Sequence, residues 1–190
     1  MLIIEGTDQL GKTTLCKKLL KELPNHIFAS FTRLPPRFNY LTDYMHRAST
    51  RVVQDRFHMS EIAYAYARGE SSTVLSPERY RLVDAYLRLN ACSFTVILYT
   101  FEDLSKRWKI RDEMYSVNVA SKANEVFKQI AQRGHFKYGD RLYAPDVDIT
   151  INLRDGYVGD DFIEQILVEY QMRCDQYNYF KETCRDRITW

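Results

Sequence analysis

The residues with the clearest chemical signature are 6–13, which read Gly-Thr-Asp-Gln-Leu-Gly-Lys-Thr and fit the pattern G-x-x-x-x-G-K-[ST]. The two glycines allow the backbone to turn its N–H groups inward, and a following helix N-terminus adds partial positive charge. In such a loop Lys12 reaches the β- and γ-phosphates of a nucleotide, and the Thr13 hydroxyl can bind Mg²⁺. The sequence therefore predicts a nucleotide-phosphate site. Its residues are Gly6, Gly11, Lys12, Thr13 and Thr14.

The elements around this loop supply the context that the motif requires. Residues 2–4 form a short apolar strand before it, and residues 12–23 form a helix after it. Further strands are predicted at 27–31, 51–54, 95–100 and 147–153. Further helices are predicted at 59–68, 77–92, 104–114, 120–132 and 161–174, and residues 133–145 are predicted to be mainly loop. Strands that alternate with helices predict an α/β, P-loop NTPase fold, with a five-stranded parallel sheet and helices on both faces.

Length and composition indicate a single domain over residues 1–190. Hydrophobic residues make up 45% and charged residues 27%, which argues against disorder. The formal net charge of +2 is too small to indicate a nucleic-acid or membrane partner. No apolar run approaches the roughly 20 residues that span a bilayer. We therefore expect small-molecule partners, no binding to nucleic acid or membranes, and a cytoplasmic location. Composition does not distinguish a monomer from a homodimer.

The four cysteines are scattered and show neither C-x-x-C nor Cys/His metal spacing. They are Cys16, Cys92, Cys174 and Cys184. The N-terminal residues also lack the pattern of a signal peptide. We therefore expect reduced thiols rather than a secreted disulfide scaffold.

A phosphate loop identifies the ligand but not the reaction. GTPases also carry a guanine-reading NKxD, which does not occur in this sequence. Motor-type ATPases usually place an acidic pair at the end of an apolar strand, whereas Glu102 and Asp103 come two residues after the predicted strand at 95–100. The remaining small P-loop proteins transfer phosphate to another small molecule, and this is the reaction class that we expect.

Four segments resemble thymidylate kinases. Residues 5–14 (EGTDQLGKTT) resemble that family's EGxDGxGKTT loop, and residues 55–64 (DRFHMSEIAY) resemble its DRY-x-x-S-x-x-AY segment. Residues 106–113 (KRWKIRDE) are similar to its arginine-bearing lid, and 127–136 resemble the helix after the lid. The resemblance implies an enzyme that uses ATP and Mg²⁺ to phosphorylate a deoxynucleoside monophosphate, namely dTMP or a related, including modified, pyrimidine.

The resemblance also implies individual roles on the acceptor side. Asp8 would accept a hydrogen bond from the sugar 3′-hydroxyl, and Arg56 and Arg33 would hold the acceptor phosphate. Asp55 would orient Mg²⁺ waters or the attacking oxygen. The complete predicted substrate-binding set is Asp8, Arg33, Arg56, Tyr64 and Phe38.

On the donor side the resemblance implies a lid near residues 104–122. Arg107 and Arg111 lie four residues apart, so both would face one way on a helix and could clamp one triphosphate. A solvated helix face is the alternative interpretation of these charges. The predicted catalytic residues are Lys12, Arg111, Asp55 and Arg107, and the predicted metal-binding residues are Thr13 and Asp55.

Departures from the family pattern leave the acceptor base open. Ala65 stands where the family has a Gln that contacts the base region. The segment between Arg33 and Asp55 is short, where family members usually carry two helices with a stacking Phe and a base-reading Arg. Phe38 or Tyr40 could stack on the base instead.

Two other functions also stay open. A deoxynucleoside kinase uses the same loop but typically has an ERS segment where this chain has Asp55-Arg56-Phe57. A non-catalytic P-loop module would switch a partner by its nucleotide state. For the monophosphate-kinase interpretation, His58 is predicted to be structural, because phosphoryl transfer to a nucleotide phosphate requires no strong general base.

Overall fold

The computed structural model describes residues 1–31, 40–70, 75–106, 116–154 and 158–185. The strands are β1 (Leu2–Gly6), β2 (Ile27–Ser30), β3 (Val52–Asp55), β4 (Phe94–Tyr99), β5 (Phe136–Tyr138), β6 (Arg141–Tyr143) and β7 (Ile149–Asn152). The helices are α1 (Lys12–Glu22), α2 (Tyr40–His46), α3 (His58–Arg68), α4 (Pro77–Ala91), α5 (Val117–Arg133) and α6 (Asp160–Arg185).

Five of the strands form one sheet in the order β2-β3-β1-β4-β7, and all neighbouring pairs run parallel. In the centre of this sheet, Ile4 of β1 is opposite Asp55 of β3, and Gly6 is opposite Leu98 of β4. The predicted fold class is confirmed. Because parallel strands end at the same edge of a sheet, the segments that follow β1 and β3 lie side by side.

Apolar residues pack on both faces of the sheet. Leu2 and Ile4 of β1 belong to a core with α1 and α6, whereas Ile3 belongs to a core with α3, α4 and α5. Val96 and Ile97 of β4 divide between the two cores in the same way. This alternation follows from the two-residue period of a strand, and it places helices on both faces as predicted.

Most predicted helices lie within a few residues of their observed positions. At the start of α4, the Ser76 hydroxyl accepts a hydrogen bond from the Arg79 N–H at 3.4 Å, with Pro77 in the first turn. The helix predicted at 104–114 begins as a 3₁₀ turn at Leu104–Lys106, and residues 107–115 lie outside the described residues. Residues 117–122 of the predicted lid form the first turns of α5, where Ala120 is fully buried.

The prediction of mainly loop at 133–145 is wrong, because β5 and β6 form an antiparallel hairpin there. Phe136 and Tyr143 are paired across it, and both are buried against the core that contains α3 and α5. Gly139, at a φ of +58°, makes the turn. The charged residues between the two buried aromatic side chains conceal the strand pattern.

Two further elements differ from the sequence predictions. Helix α2 was not predicted, and it is anchored by the fully buried Tyr44, whose ring stacks on Phe31 at a centroid distance of 5.1 Å. Helix α6 continues to Arg185 rather than ending at 174. None of the helices in the described ranges is long and apolar enough to cross a membrane.

Candidate phosphate-transfer site

The loop between β1 and α1 depends on both of its glycines. Gly6 has a φ of +143°, and a Cβ at this position would lie 2.5 Å from the Leu98 carbonyl oxygen of the neighbouring strand. Gly11 has a φ of +71° and caps the N-terminus of α1, where its carbonyl accepts the Leu15 N–H at 2.9 Å. The first glycine therefore allows close packing of the strands, and the second allows the left-handed turn into the helix.

Lys12 folds back over this loop. Its ammonium donates a hydrogen bond to the Thr7 carbonyl at 2.5 Å, and the residue is only 5% exposed. The Thr7 hydroxyl in turn donates to the Ala120 carbonyl of α5 at 2.9 Å. The loop is thereby tied to α5, and a buried cation is held against the loop backbone.

Thr13 and Asp55 meet at the ends of α1 and β3. The Thr13 hydroxyl donates to Asp55 Oδ2 at 2.5 Å, and Asp55 is buried, with 5% exposure. Asp55 Oδ1 is also buried and has no hydrogen-bond partner within the described parts of the chain. A hydroxyl beside a carboxylate with an unsatisfied oxygen is a donor set that suits Mg²⁺, which takes few protein ligands and completes its shell with phosphate and water oxygens.

Asp8, Arg56 and Tyr64 form a second polar group beside the loop. The Arg56 guanidinium makes an ion pair with the Asp8 carboxylate, and it lies over the Tyr64 ring at 5.2 Å from the centroid. The Tyr64 hydroxyl donates to Asp8 Oδ2 at 2.8 Å and accepts the Asp8 N–H at 3.0 Å. Three residues that were predicted to bind substrate are therefore in mutual contact.

The backbone of Arg56 is fixed in an uncommon conformation. Its φ is +64°, in the left-handed region that non-glycine residues rarely adopt. Its N–H donates to the Ile4 carbonyl at 2.9 Å, and its carbonyl accepts from the Gln54 side-chain amide at 2.9 Å. Strain of this kind persists only where surrounding contacts impose it, and it is concentrated at functional sites.

Glu5, for which no role was predicted from the sequence, anchors the segment that follows Arg56. Its carboxylate is fully buried and accepts the N–H groups of Phe57 at 3.0 Å and Met59 at 3.1 Å. The Ser60 N–H at 3.4 Å and the Ser60 hydroxyl also donate to it. Burial raises the pKa of Glu5, although these hydrogen bonds oppose the change. A carboxylate inside an otherwise apolar strand was the signal in the sequence that could have identified this residue.

Two other predictions concern residues near these groups. The Glu102–Asp103 pair is exposed, and Thr100 at the end of β4 is instead buried against Asn124, whose amide nitrogen donates to the Thr100 carbonyl at 2.8 Å. His58 is buried, and its Nε2 lies 2.6 Å from Asp84 Oδ1, which agrees with a structural role. The acidic residue that meets the phosphate loop is Asp55 from β3.

The remaining predicted site residues have different outcomes. Thr14 is exposed in the first turn of α1, and Ala65 is fully buried in α3. The last four predicted residues, Arg33, Phe38, Arg107 and Arg111, lie outside the described residues. The structure thus brings the phosphate loop together with Asp55, Arg56 and Tyr64.

Solved structures of other proteins share this fold. The chain superimposes on the YorR protein of Bacillus subtilis, solved in complex with phosphorylated GDP, with a TM-score of 0.68 and 19% sequence identity over 92% of this chain and 97% of that one. It superimposes on thymidylate kinase from Candida albicans with a TM-score of 0.51 and 18% identity over 90% and 92% of the two chains.

A third solved structure with this fold is a much longer chain. A putative polyphosphate kinase 2 from Pseudomonas aeruginosa PA01 matches with a TM-score of 0.53 and 14% identity, over 89% of this chain but 39% of that one. No protein-family model matches the sequence, and no curated protein matches it. At these identities the likeness establishes the fold, and the function must be argued from the site.

Proposed function

We propose that this chain transfers the γ-phosphoryl group of ATP to the phosphate of a deoxynucleoside monophosphate, with dTMP or another pyrimidine as the first acceptor to test. The observation that carries the proposal is the position of two sets of polar groups around one loop, the phosphate loop between β1 and α1. Lys12, Thr13 and Asp55 form the donor side, and Asp8, Arg56 and Tyr64 form the acceptor side. Phosphoryl transfer between two polyanions needs cations at both phosphates, which this arrangement provides.

On the donor side, Thr13 and Asp55 would hold Mg²⁺, which neutralises phosphate charge when it is bound. Lys12 already lies against the loop backbone as a buried ammonium. Its exchange of the Thr7 carbonyl for a phosphate oxygen would place the charge where negative charge develops during transfer. Such preorganised electrostatic stabilisation is commonly the largest contribution to catalysis of this kind.

On the acceptor side, Arg56 is a permanent cation whose planar guanidinium can bind a phosphate through two parallel hydrogen bonds. Asp8 holds this group in place before the acceptor binds. Once the acceptor phosphate has replaced Asp8 as the partner of the Arg56 guanidinium, the Asp8 carboxylate would be available to accept a hydrogen bond from the sugar hydroxyl. Tyr64 would keep the Asp8 carboxylate oriented through the hydrogen bond at 2.8 Å.

The reaction that follows from this arrangement is a direct displacement. An oxygen of the acceptor phosphate attacks the γ-phosphorus, and the bond to the β-phosphate oxygen breaks as ADP leaves. The attacking oxygen is already ionised at neutral pH, so no side chain has to remove a proton. Arg107 and Arg111, predicted from the lid resemblance, would add positive charge from the donor side.

A deoxynucleoside kinase is the nearest alternative, and it needs a carboxylate base close to a 5′-hydroxyl. Each carboxylate next to the loop already has a role: Asp55 accepts from Thr13 through Oδ2 and would offer Oδ1 to Mg²⁺, Asp8 pairs with Arg56, and Glu5 accepts from the N-terminus of α3. This argues for an acceptor that already carries a phosphate. The structure of YorR with phosphorylated GDP is a reason to include purine nucleotides among the acceptors tested.

The proposal is tested by supplying the full chain with ATP, Mg²⁺ and one acceptor at a time, and separating the products by ion-exchange chromatography. The acceptors are dTMP, dUMP, 5-substituted dUMP, dCMP, dGMP and thymidine. We expect a diphosphate product from at least one monophosphate and no product from thymidine. Turnover of thymidine alone would identify a nucleoside kinase. ATP binding without turnover of any acceptor would identify a binding module.

A further inference from the structure

Two cysteines that are distant in the chain meet at the end of the sheet opposite the phosphate loop. The Sγ atoms of Cys92 and Cys174 are 3.9 Å apart. Cys92 directly follows α4 and lies two residues before the start of β4, and Cys174 lies in α6. Both are free thiols. The sulfur atoms would have to approach each other by roughly 2 Å to reach the bonding distance of about 2.05 Å.

The backbone of Cys92 gives independent support for a role of its side chain. Cys92 ends α4 with a φ of +47° and a ψ of +52°, the left-handed conformation in which glycine or asparagine is usual. A cysteine at this position costs stability relative to glycine, since its Cβ is crowded there. The backbone geometry alone therefore does not explain a cysteine here.

The two thiols differ in pKa and in exposure. The Cys92 thiol donates to the Cys174 sulfur, and this hydrogen bond, together with one to the Tyr170 hydroxyl, lowers the pKa of Cys174. The pKa of Cys92 is raised by the same contact and by burial. Cys174 is half-buried whereas Cys92 is 3% exposed. Cys174 is thus the reachable thiolate, and Cys92 is the protected thiol beside it.

We propose that Cys92 and Cys174 form a reversible intramolecular disulfide when hydrogen peroxide reaches Cys174, and that this bond fastens α6 to the junction of α4 and β4. The proposal is independent of the phosphoryl-transfer reaction. It assigns a redox modification site to the face of the molecule that carries α6.

The oxidation proceeds in two balanced steps. The Cys174 thiolate attacks one peroxide oxygen, so that an S–O bond forms, the O–O bond breaks, and hydroxide leaves and is protonated to water. The Cys92 sulfur then attacks the Cys174 sulfenic acid, so that the S–S bond forms and the S–O bond breaks. The departing hydroxide takes the Cys92 thiol proton as a second water. The two thiols lose two electrons, and the peroxide gains them.

The expected effect is on stability rather than on turnover. The bond would join residues separated by 82 positions, and closure of a loop of this length restricts the unfolded chain strongly. The bond would lie at the amino ends of the strands, whereas the phosphate loop follows the carboxyl end of β1. We therefore expect Tm to rise by about 5–15 °C on oxidation, while phosphoryl-transfer activity is unchanged.

The test is to treat the full chain with hydrogen peroxide, block the remaining thiols, and identify cross-linked peptides by mass spectrometry without reductant. We expect one peptide pair joined through Cys92 and Cys174, a higher Tm, and reversal of both by dithiothreitol. Cys16→Ser is the matched control, because Cys16 is fully buried and burial raises its pKa. This variant should still form the bond.

Cys92→Ser and Cys174→Ser should each lose the cross-link and the rise in Tm. The wild-type peptide map decides the question even if one of these variants folds poorly. Over-oxidation of Cys174 without a cross-link, a cross-link to Cys184, or a disulfide between two chains would each overturn the proposal, as would full protection of both thiols.

Discussion

Arg56 and Asp8 form an ion pair that links the segment after β3 to the phosphate loop after β1. Their side chains are 20% and 19% exposed, so the pair is accessible to an anion from solvent. An acceptor phosphate would compete with Asp8 for the same guanidinium. The pair therefore holds Arg56 ready for the acceptor, and the proposed acceptor binding must exchange one carboxylate for one phosphate.

Replacement of Arg56 should weaken acceptor binding selectively. For Arg56→Ala we expect kcat/KM for the monophosphate to fall by about 30- to 1000-fold, because a charge-assisted, partly desolvated contact is worth roughly 2–4 kcal/mol. The KM for ATP should stay nearly unchanged. Steady-state kinetics with each substrate varied in turn measures both quantities.

Arg173→Ala is a suitable control for this variant. Arg173 also forms an ion pair, with Asp148 at 2.7 Å, but it lies on α6 away from the loop. Both kinetic constants should be unaffected by its loss. Equal losses for ATP and acceptor in Arg56→Ala would place this residue at the donor phosphates and contradict its proposed role.

Replacement of Lys12 should affect the chemical step. Lys12→Ala removes the buried ammonium that would stabilise the transferring phosphate, and we expect kcat to fall by about 10²-fold or more. Lys18→Ala is the control on the same helix, since Lys18 is exposed and pairs with Asp160 at 3.1 Å. Single-turnover measurements separate the chemical step from binding. Activity within a factor of two of the wild type would contradict the assignment of the phosphate loop.

Glu5 makes a pH-dependent contribution to stability. Burial raises its pKa in the folded protein, so folding disfavours the charged form. The contribution of Glu5 to the free energy of unfolding is most favourable at pH values below its pKa in the unfolded chain, where the carboxyl is protonated in both states. This contribution becomes less favourable as the pH rises from the pKa of Glu5 in the unfolded chain to its higher pKa in the folded protein.

Glu5→Gln should therefore gain stability relative to the wild type as the pH rises through this range, while it keeps an oxygen that can accept the Phe57 N–H. Urea unfolding at several pH values measures the difference between the two proteins. Glu164→Gln, on the exposed face of α6, should show no such trend. A stability difference that is constant with pH would show that Glu5 has the same pKa in the folded and unfolded states.

Features that depend on local sequence were predictable, and contacts between distant segments were not. The apolar runs of β1 and β4 and the glycine-lysine spacing are local, and these elements were placed within one or two residues. The hairpin was missed because only Phe136 and Tyr143 are buried in it, with charged residues between them. The Arg56–Asp8 pair depends on the register of β3 against β1, which no local pattern encodes.

Gln9 lies at the one place in the phosphate loop where a side chain opposes the backbone conformation. Its φ is +65°, and the family pattern EGxDGxGKTT has glycine at this position. A non-glycine residue in the left-handed region destabilises the folded state by about 1–2 kcal/mol. Replacement by glycine removes this cost, but it also increases the conformational entropy that the chain loses on folding, which offsets part of the gain. Gln9→Gly should therefore stabilise the protein by about 0.5–1 kcal/mol.

Urea unfolding measures this change, and Gln9→Ala is the matched control because alanine keeps the Cβ and should give no gain. If both variants stabilise equally, the Gln9 side chain rather than its backbone is responsible for the strain. If neither does, contacts of the glutamine offset the cost of its conformation. Because the change leaves Lys12 and Thr13 in place, the glycine variant should retain phosphoryl-transfer activity, and a loss of activity would show that the Gln9 side chain takes part in binding.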